Sequence, residues 1–431
     1  MSTVLDDEIV ISGMAINTPI GDTLPVFLDS LYAGRSALGR WHSLDVSNCY
    51  SKVGADLGDY DTEARVEALR TVLPADVWRR LVKLHVSLPW STRITTLLAV
   101  DAFLDAGLFG CGLDPKRIAV VVAGHDIGVK YDYDNRTRYD QRPDHIDPLY
   151  GLQALDTDHP ASVTQVLGSL GPAYLIGGAC ASGNLAVRAG IDELRLDRAD
   201  AVMVVGPVLE WSPLLLHGMA LLGAITFKNF LDRPEAASRP YDTAREGFVP
   251  AHGGGALVLE RRGSVERRGA SWWAAVLGCE ASSSASHLPT PTAASQAEAM
   301  RLALAASRIT PDQVDYINAH ATSTPRGDLS ELEAIKEAFG PSAHRIPINA
   351  PKSLLGHTCW SAPIVELVVG VLQMNRGRIH RTANIDNLDP QVDLDVTADA
   401  VRDVEIRHMV KNSFGFGGLN CVSVLRRGTR Q

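Results

Sequence analysis

The sequence lacks several features that would assign it to a class at once. Its six cysteines include no Cys-x-x-Cys pair and no metal-ligand spacing, which argues against a disulfide framework or a zinc site and is typical of a reducing compartment. A net charge of −9 disfavours nucleic acid as a general partner. The most apolar stretch, residues 212–227, is interrupted by His217. Because it is also short for a membrane span, it is better interpreted as a core helix or part of a subunit interface.

We expect no signal peptide, because the N-terminal segment is acidic where a signal peptide would be basic. We therefore expect a cytoplasmic protein. With 431 residues and 45% hydrophobic content, the chain exceeds an ordinary single domain and can bury a large core.

Cys180 lies in a run of small residues, 178–183 (GACASG), between an apolar segment and a predicted helix. Val187, Ile191 and Leu194 follow at i, i+4 and i+7, the spacing of an amphipathic helix. Cys180 is thus predicted at a helix N-terminus, where the positive end of the dipole favours the reactive thiolate. A buried structural cysteine is the alternative interpretation.

Two histidines occupy similar positions later in the chain. His320 follows an apolar segment that is predicted to be a strand, and His357 precedes a segment whose apolar residues mark one face of a helix. A single histidine at such a site is more often a capping residue. One cysteine and two histidines at strand-to-loop ends favour a catalytic group with a nucleophile.

Further segments carry a family resemblance, in order along the chain: residues 10–21 (VISGMAINTPIG), 179–183 (ACASG), 238–242 (SRPYD), 320–328 (HATSTPRGD), 352–357 (KSLLGH) and 412–418 (NSFGFGG). In these motifs the chain resembles the β-ketoacyl synthases of the thiolase superfamily, the condensing enzymes of fatty-acid and polyketide synthesis. The resemblance runs nearly end to end.

This resemblance implies an α/β thiolase fold, with two duplicated halves in a layered α-β-α-β-α architecture. We expect residues 1–262 to form the half that carries Cys180. Residues 263–431 are expected to form the half that carries both histidines and the Gly-Phe-Gly-Gly loop. The two halves are expected to pack as one rigid body.

The resemblance also implies a mechanism. Cys180 accepts an acyl group from a phosphopantetheine thioester, and a malonyl thioester then loses CO2 to give an enolate that attacks the acyl group. His320 and His357 stabilise the enolate, and the backbone N–H groups of Cys180 and Phe416 form the oxyanion hole. Lys352 matches the active-site lysine of the family, and Glu331 matches the acid that pairs with it.

The family resemblance also implies residues that bind the substrate. These are Thr322, Thr324, Phe414 and Trp360. Trp360 departs from the family pattern, since ordinary synthases have small residues there, and a buried interface aromatic is the alternative. His252 also departs, as do Ala321 and Leu419.

The expected partners are an acyl carrier protein that delivers malonyl and acyl thioesters and a second copy of the chain in a homodimer. No bound cofactor, metal or membrane is expected. Carrier proteins are acidic, so docking on this acidic chain requires a basic patch, and Arg79, Arg80 and Lys83 are the candidates; a solvated helix face is the alternative.

Two other functions remain open. Residues 224–259 resemble free-standing ketosynthase-like proteins of bacterial polyketide clusters, some of which decarboxylate malonyl carrier protein without condensing it. Such decarboxylases often have serine in place of the nucleophilic cysteine, whereas Cys180 is present here. A non-catalytic partner subunit resembling a chain-length factor is the third hypothesis, and the retained Cys180, His320, His357 and Lys352 argue against it.

Overall fold

The computed structural model describes residues 7–288 and 290–430. The first six residues of the acidic N-terminal segment, on which the expectation of a cytoplasmic protein partly relies, lie outside these ranges. The strands are β1 (Ile9–Asn17), β2 (Gly39–Arg40), β3 (Val53–Gly54), β4 (Ile118–Ala123), β5 (Ala173–Ile176), β6 (Ala201–Gly206), β7 (Gly254–Arg261), β8 (Ala274–Ser283), β9 (Tyr316–Asn318), β10 (Ile348–Asn349), β11 (Arg378–Ile379), β12 (Arg402–Asp403), β13 (His408–Gly415) and β14 (Leu419–Arg427).

The helices are α1 (Leu24–Tyr32), α2 (Thr62–Ala68), α3 (Ala75–His85), α4 (Trp90–Asp105), α5 (Val129–Gln141), α6 (Tyr150–Gln153), α7 (Asp158–Leu167), α8 (Ser182–Arg195), α9 (Pro213–Leu221), α10 (Arg262–Arg267), α11 (Ala293–Ser307), α12 (Pro325–Phe339), α13 (Lys352–Leu355) and α14 (Ala362–Arg376). Two short 3₁₀ turns, Ala179–Ala181 and Cys359–Ser361, lead directly into α8 and α14.

Ten strands form one sheet in the order β10-β9-β13-β14-β8-β1-β7-β6-β4-β5. The sheet has two halves with the same strand topology. β1, β7 and β6 pair antiparallel and continue into the parallel strands β4 and β5; β8, β14 and β13 likewise continue into β9 and β10. The halves meet where Val10 pairs with Ala275 and Ile11 with Ala274. This repeat confirms the predicted duplication.

Helix α10 and the loop after it connect β7 to β8. The predicted boundary after residue 262 falls at the beginning of this connection and stays a prediction.

The halves are stacked as layers. Helices α8 and α14 pack against each other and against strands of both halves, so they form the central layer. Helix α4 packs against β1, β6 and β7 and forms one outer layer, and α11 packs against β8 and β14 and forms the other. The resulting order of layers is α-β-α-β-α, as predicted.

The central position changes the interpretation of α14. Its apolar residues were expected to mark one face, but residues 362–374 are all buried. A helix enclosed between the two halves of the sheet has no solvent face, so it is buried all round. Gly183, in the first turn of α8, allows the two central helices to approach closely: a Cβ atom there would lie 2.8 Å from Cβ of Pro363.

Residues 212–227 do not form the long core helix that was one of their interpretations. Helix α9 ends at Leu221, and Leu214 and Leu221 expose 70% and 65% of their surface. An interface role for this segment stays a prediction. Within the described residues, no helix combines the length and apolar character needed to cross a bilayer.

Candidate active site

Cys180 lies where the central layer meets the end of β5. The strand ends at Ile176, and the 3₁₀ turn Ala179–Ala181 then places the thiol at the N-terminus of α8. The hydroxyl of Ser182 fixes this turn, because it accepts the N–H of Gly178 at 2.9 Å and donates to the carbonyl of Ala179 at 2.6 Å. The predicted location of Cys180 is therefore correct.

The predicted ionisation of Cys180 is wrong for the free protein. The thiol is buried, and this burial raises its pKa to about 12, although the nearby Lys352 ammonium lowers it. Loss of hydration disfavours the charged form more strongly than the favourable charge offsets. The resting nucleophile is a thiol.

His320 follows β9 and is held from behind by Glu331. The two carboxylate oxygens of Glu331 accept the N–H groups of His320 at 2.8 Å and Ala321 at 2.7 Å. The side chain of Asn412 donates to the same carboxylate at 2.8 Å. Glu331 therefore fixes the backbone of the histidine loop.

Lys352 has a different acidic partner from the one predicted. Its ammonium group donates to the carbonyl of His320 at 2.6 Å and lies 3.5 Å from Nδ1 of that residue. Its ion pair is with Glu366 of α14 at 2.5 Å, and not with Glu331. The prediction fails because Glu331 is already committed to the backbone, whereas Lys352 at the start of α13 lies against α14.

Sequence reasoning missed both Glu366 and Lys411. Glu366 also lies 2.8 Å from the ammonium group of Lys411 in β13. The three side chains of Lys352, Glu366 and Lys411 are at most 3% exposed. A signal was present for Glu366, which is a lone charge within an apolar run of the sequence, since buried charges are rarely unpaired. Lys411 carries no such signal, because Asn412 and Ser413 follow it.

His357 faces His320, with 5.5 Å between the ring centroids. Its Nδ1 accepts the N–H of Cys359 at 3.2 Å, so the ring proton is on Nε2. That Nε2 atom is buried and has no hydrogen-bond partner among the described residues. Burial first, and Lys352 second, lower the pKa of both imidazoles well below the ordinary value, so both rings are neutral near pH 7.

One cavity of about 380 Å3 brings most of the predicted residues together. Its wall includes Cys180, His320, His357, Thr322, Thr324, Phe414 and Phe416. Gly415 brings this strand against the nucleophile, because a Cβ atom there would lie 2.6 Å from the carbonyl oxygen of Gly178 and 3.3 Å from the amide nitrogen of Cys180. Lys352 and Glu331 lie behind the histidines.

Trp360 does not line this cavity, and its assignment as a substrate-binding residue stays a prediction. It is 8% exposed and stacks on His125, with ring centroids 4.5 Å apart. The indole belongs to the same hydrophobic cluster as Cys180. His252 is also outside the wall; its ring packs against Trp41 and Trp90 and lies 3.4 Å from Asp56.

The three basic residues predicted for carrier-protein docking lie on α3 and do not line the cavity. Arg80 forms an ion pair with Asp76 at 2.7 Å and donates to the carbonyl of Val166. The docking role of Arg79, Arg80 and Lys83 stays a prediction. Within residues 7–288 and 290–430, no group of three histidine, cysteine or acidic side chains is arranged to hold a metal ion.

Comparison with known proteins confirms the resemblance. The family model described as "Beta-ketoacyl synthase, N-terminal domain" matches residues 6–264, and "Beta-ketoacyl synthase, C-terminal domain" matches residues 273–386. The chain is 30% identical to "Polyketide biosynthesis malonyl-ACP decarboxylase PksF" of Bacillus subtilis (strain 168), over 96% of this chain and 95% of the relative. It is also 30% identical to "3-oxoacyl-[acyl-carrier-protein] synthase 2" of Coxiella burnetii (strain RSA 493 / Nine Mile phase I), over 97% of this chain and 98% of the relative.

Among solved structures, "AntDE:AntF (apo): type II PKS acyl-carrier protein in complex with its ketosynthase bound to the hexaketide" superposes with a TM-score of 0.84 at 25% identity, over 98% of this chain and 99% of that chain. The family models together match most of the sequence, and the relatives match along nearly their whole length. The chain therefore belongs to the β-ketoacyl synthase family.

Proposed function

We propose that the protein transfers an acyl group to Cys180 and condenses it with a malonyl group carried by an acyl carrier protein, with loss of CO2. One observation carries the proposal: Cys180, His320 and His357 line the same cavity. In addition, the Nε2–H of His357 has no hydrogen-bond partner among the described residues. The carrier-protein complex of the superposed ketosynthase supports the choice of partner.

In the first half-reaction, the sulfur of Cys180 attacks the carbonyl of an acyl thioester. A new C–S bond forms, the C–S bond to pantetheine breaks, and the departing sulfur takes the thiol proton. The tetrahedral oxygen gains charge, and we assign the backbone N–H groups of Cys180 and Phe416 to stabilise it. The close approach of Gly415 to Cys180 supports this assignment.

In the second half-reaction, the bond between the malonyl carboxylate and the α-carbon breaks. CO2 leaves, and the electron pair forms an enolate whose oxygen accepts hydrogen bonds from His320 and His357. Neutral imidazoles suit this role, because they donate through Nε2 while charge develops on the substrate. The enolate carbon then attacks the acyl carbonyl to form a C–C bond, the C–S bond to Cys180 breaks, and the departing sulfur takes a proton from solvent to restore the thiol.

The surrounding residues have supporting roles in this proposal. Thr322 and Thr324, whose hydroxyl oxygens lie 3.0 Å apart in the cavity wall, line the path of the phosphopantetheine arm with Phe414. Glu331 and Lys352 hold the histidine loop from behind.

A second candidate is a malonyl carrier protein decarboxylase, and Trp360 favours it. The Trp360–His125 stack fills the space against Gly124 and Gly177 beside the turn that carries Cys180: a Cβ atom at these glycines would lie 2.9 Å from Trp360 and 3.0 Å from His125. Condensation places two acyl groups beside Cys180 at once, whereas decarboxylation needs room for one. The relative named as a malonyl-ACP decarboxylase is consistent with this candidate.

Intact mass spectrometry of malonyl-loaded carrier protein tests both candidates, with and without an acyl thioester primer. A primer-dependent β-ketoacyl product, with an acyl adduct on the enzyme, supports condensation. Acetyl carrier protein formed with or without primer supports decarboxylation alone. Cys180→Ala is expected to lose the adduct, and Cys111→Ala, which removes an exposed thiol, is the matched control. An unchanged malonyl carrier protein would contradict both.

The protein is further proposed to act as a homodimer. Strand β5 is one of the two edge strands of the sheet, and its residues are only partly covered. An exposed strand edge is a template for pairing with a second copy. Sedimentation equilibrium at micromolar concentration is expected to give the mass of two chains, and the mass of one chain would contradict this proposal.

A further inference from the structure

Lys411 is a buried cation that the mechanism above does not use. It lies in β13 between residues that are also buried, and its side chain is fully enclosed. Its ammonium group lies 2.8 Å from Oε2 of Glu366, while Oε1 of the same carboxylate binds Lys352. One carboxylate is therefore shared between two ammonium groups.

Lys352, Glu366 and Lys411 together carry two ammonium groups and one carboxylate, and the charge of Glu331 balances the second ammonium group only from a distance. Lys352 and Glu366 would neutralise each other as a pair, and Lys411 adds a second cation. A buried ion is retained at a cost in desolvation unless its surroundings compensate, and the next carboxylate, Glu331, is bound to the backbone of the His320 loop and to Asn412. The charge of Lys411 thus acts on both imidazoles, and its ion pair is with a carboxylate that it shares with Lys352.

The geometry also links Lys411 to the glycine-rich segment that lines the cavity. Its ammonium group donates to the carbonyl of Asn412 and lies 3.3 Å from the hydroxyl of Ser413. The same strand continues to Gly415, beside the nucleophile. Lys411 therefore connects the glycine-rich segment to α14 and, through Glu366, to Lys352.

We propose that Lys411 is a positioning residue for decarboxylation. By binding the second oxygen of Glu366 it fixes Lys352 against His320, and its charge adds to the positive potential at the enolate oxygen. This inference rests on the proposed function, but the effect of the Lys411 charge on the imidazoles is already present in the protein without substrate. Lys411 does not line the cavity, so it acts through other residues.

The pH dependence of the histidines is the most direct readout. The titratable groups that face the two imidazoles, besides each other, are Cys180, Cys359, Lys352, Lys411, Glu331 and Glu366. Lys411 and Lys352 both oppose protonation of the rings. Removing the charge of Lys411 is therefore expected to raise the imidazole pKa values by about one pH unit.

The experiment compares wild type, Lys411→Met and Lys411→Arg by NMR titration of the histidines and by the pH profile of CO2 release from malonyl carrier protein. Lys411→Met is expected to raise the imidazole pKa values, to shift the acidic limb of the rate profile to higher pH and to lower kcat at least tenfold with little change in KM. Lys411→Arg should restore the acidic limb. Lys336→Met, which removes a surface ion pair with Asp393, is the matched control.

The proposal would be overturned if folded Lys411→Met kept the acidic limb of the rate profile and the imidazole pKa values of wild type. It would also be overturned if Lys411→Arg shifted both as much as Lys411→Met does. If Lys411→Met does not fold, the ¹⁵Nζ chemical shift of Lys411 in wild type decides: an uncharged amine at pH 7 overturns the proposal, and an ammonium group supports it. Absence of CO2 release by wild type would contradict the proposed function instead, while the NMR titration would still test Lys411.

Discussion

Replacement of Trp360 by alanine tests whether the indole limits the acyl group that Cys180 accepts. Trp360 is almost fully buried and stacks on His125, so truncation removes both the burial of a large ring and the stack. Changes of this kind lower the free energy of unfolding by about 3–5 kcal/mol. They also open a space the size of an indole beside the turn that carries Cys180.

The assay is intact mass spectrometry of the enzyme after incubation with acetyl, hexanoyl and octanoyl thioesters. We expect wild type to form the acetyl adduct. In Trp360→Ala, the yield of the hexanoyl and octanoyl adducts should rise at least about tenfold, because an increase of about 1.4 kcal/mol in the binding free energy of the longer chain is sufficient for that change. Trp272→Ala, a buried tryptophan in another cluster, should lose stability without gaining adducts. Identical adduct profiles in folded wild type and Trp360→Ala, or the same gain in Trp272→Ala, would refute the reasoning.

Three further predictions concern the groups around the cavity. His320→Ala and His357→Ala should each lower CO2 release by about 100- to 1000-fold, because each removes one donor to the enolate oxygen; undiminished release by either variant would exclude that donor role. Glu331→Gln should lower the free energy of unfolding by about 1–3 kcal/mol in urea titrations, since a buried N–H loses its acceptor, whereas Glu337→Gln on the exposed side of α12 should not. Alkylation of Cys180 by iodoacetamide, followed by mass, should rise about tenfold per pH unit from pH 7 to pH 9.5, because the thiol pKa lies at about 12; a plateau near the ordinary thiol pKa would contradict this.

The sequence was sufficient to predict the groups that line the cavity. Cys180 and His320 each follow an apolar strand of a parallel pair, and His357 precedes a helix. The carboxyl ends of parallel strands meet at one edge of a sheet, where ligand sites commonly lie. Strand order alone does not bring Cys180 and His320 together, because β5 and β9 lie near opposite ends of the sheet. The stacking of the two halves does so, and the family motifs implied that stacking.

The pairing of charges behind the cavity could not be predicted in the same way. The spacing that links Lys352 to Glu331 in sequence does not show which carboxylate its ammonium group reaches. That choice depends on where the fold places Glu366 of α14 relative to Lys352 and to Lys411 of β13. The orientation of Trp360 depended similarly on contacts with a distant loop, at Gly124 and His125.

The close contact of the central helices at Gly183 has a mechanical consequence. Cys180 is attached to the first turn of α8, and His357 to the loop that enters α14. The separation of the thiol from this imidazole is therefore set by how closely two buried helices approach, rather than by either loop. A methyl group at Gly183 would be forced against Pro363 and would push the helices apart, so one substitution outside the cavity would widen the gap between the nucleophile and the hydrogen-bond donor.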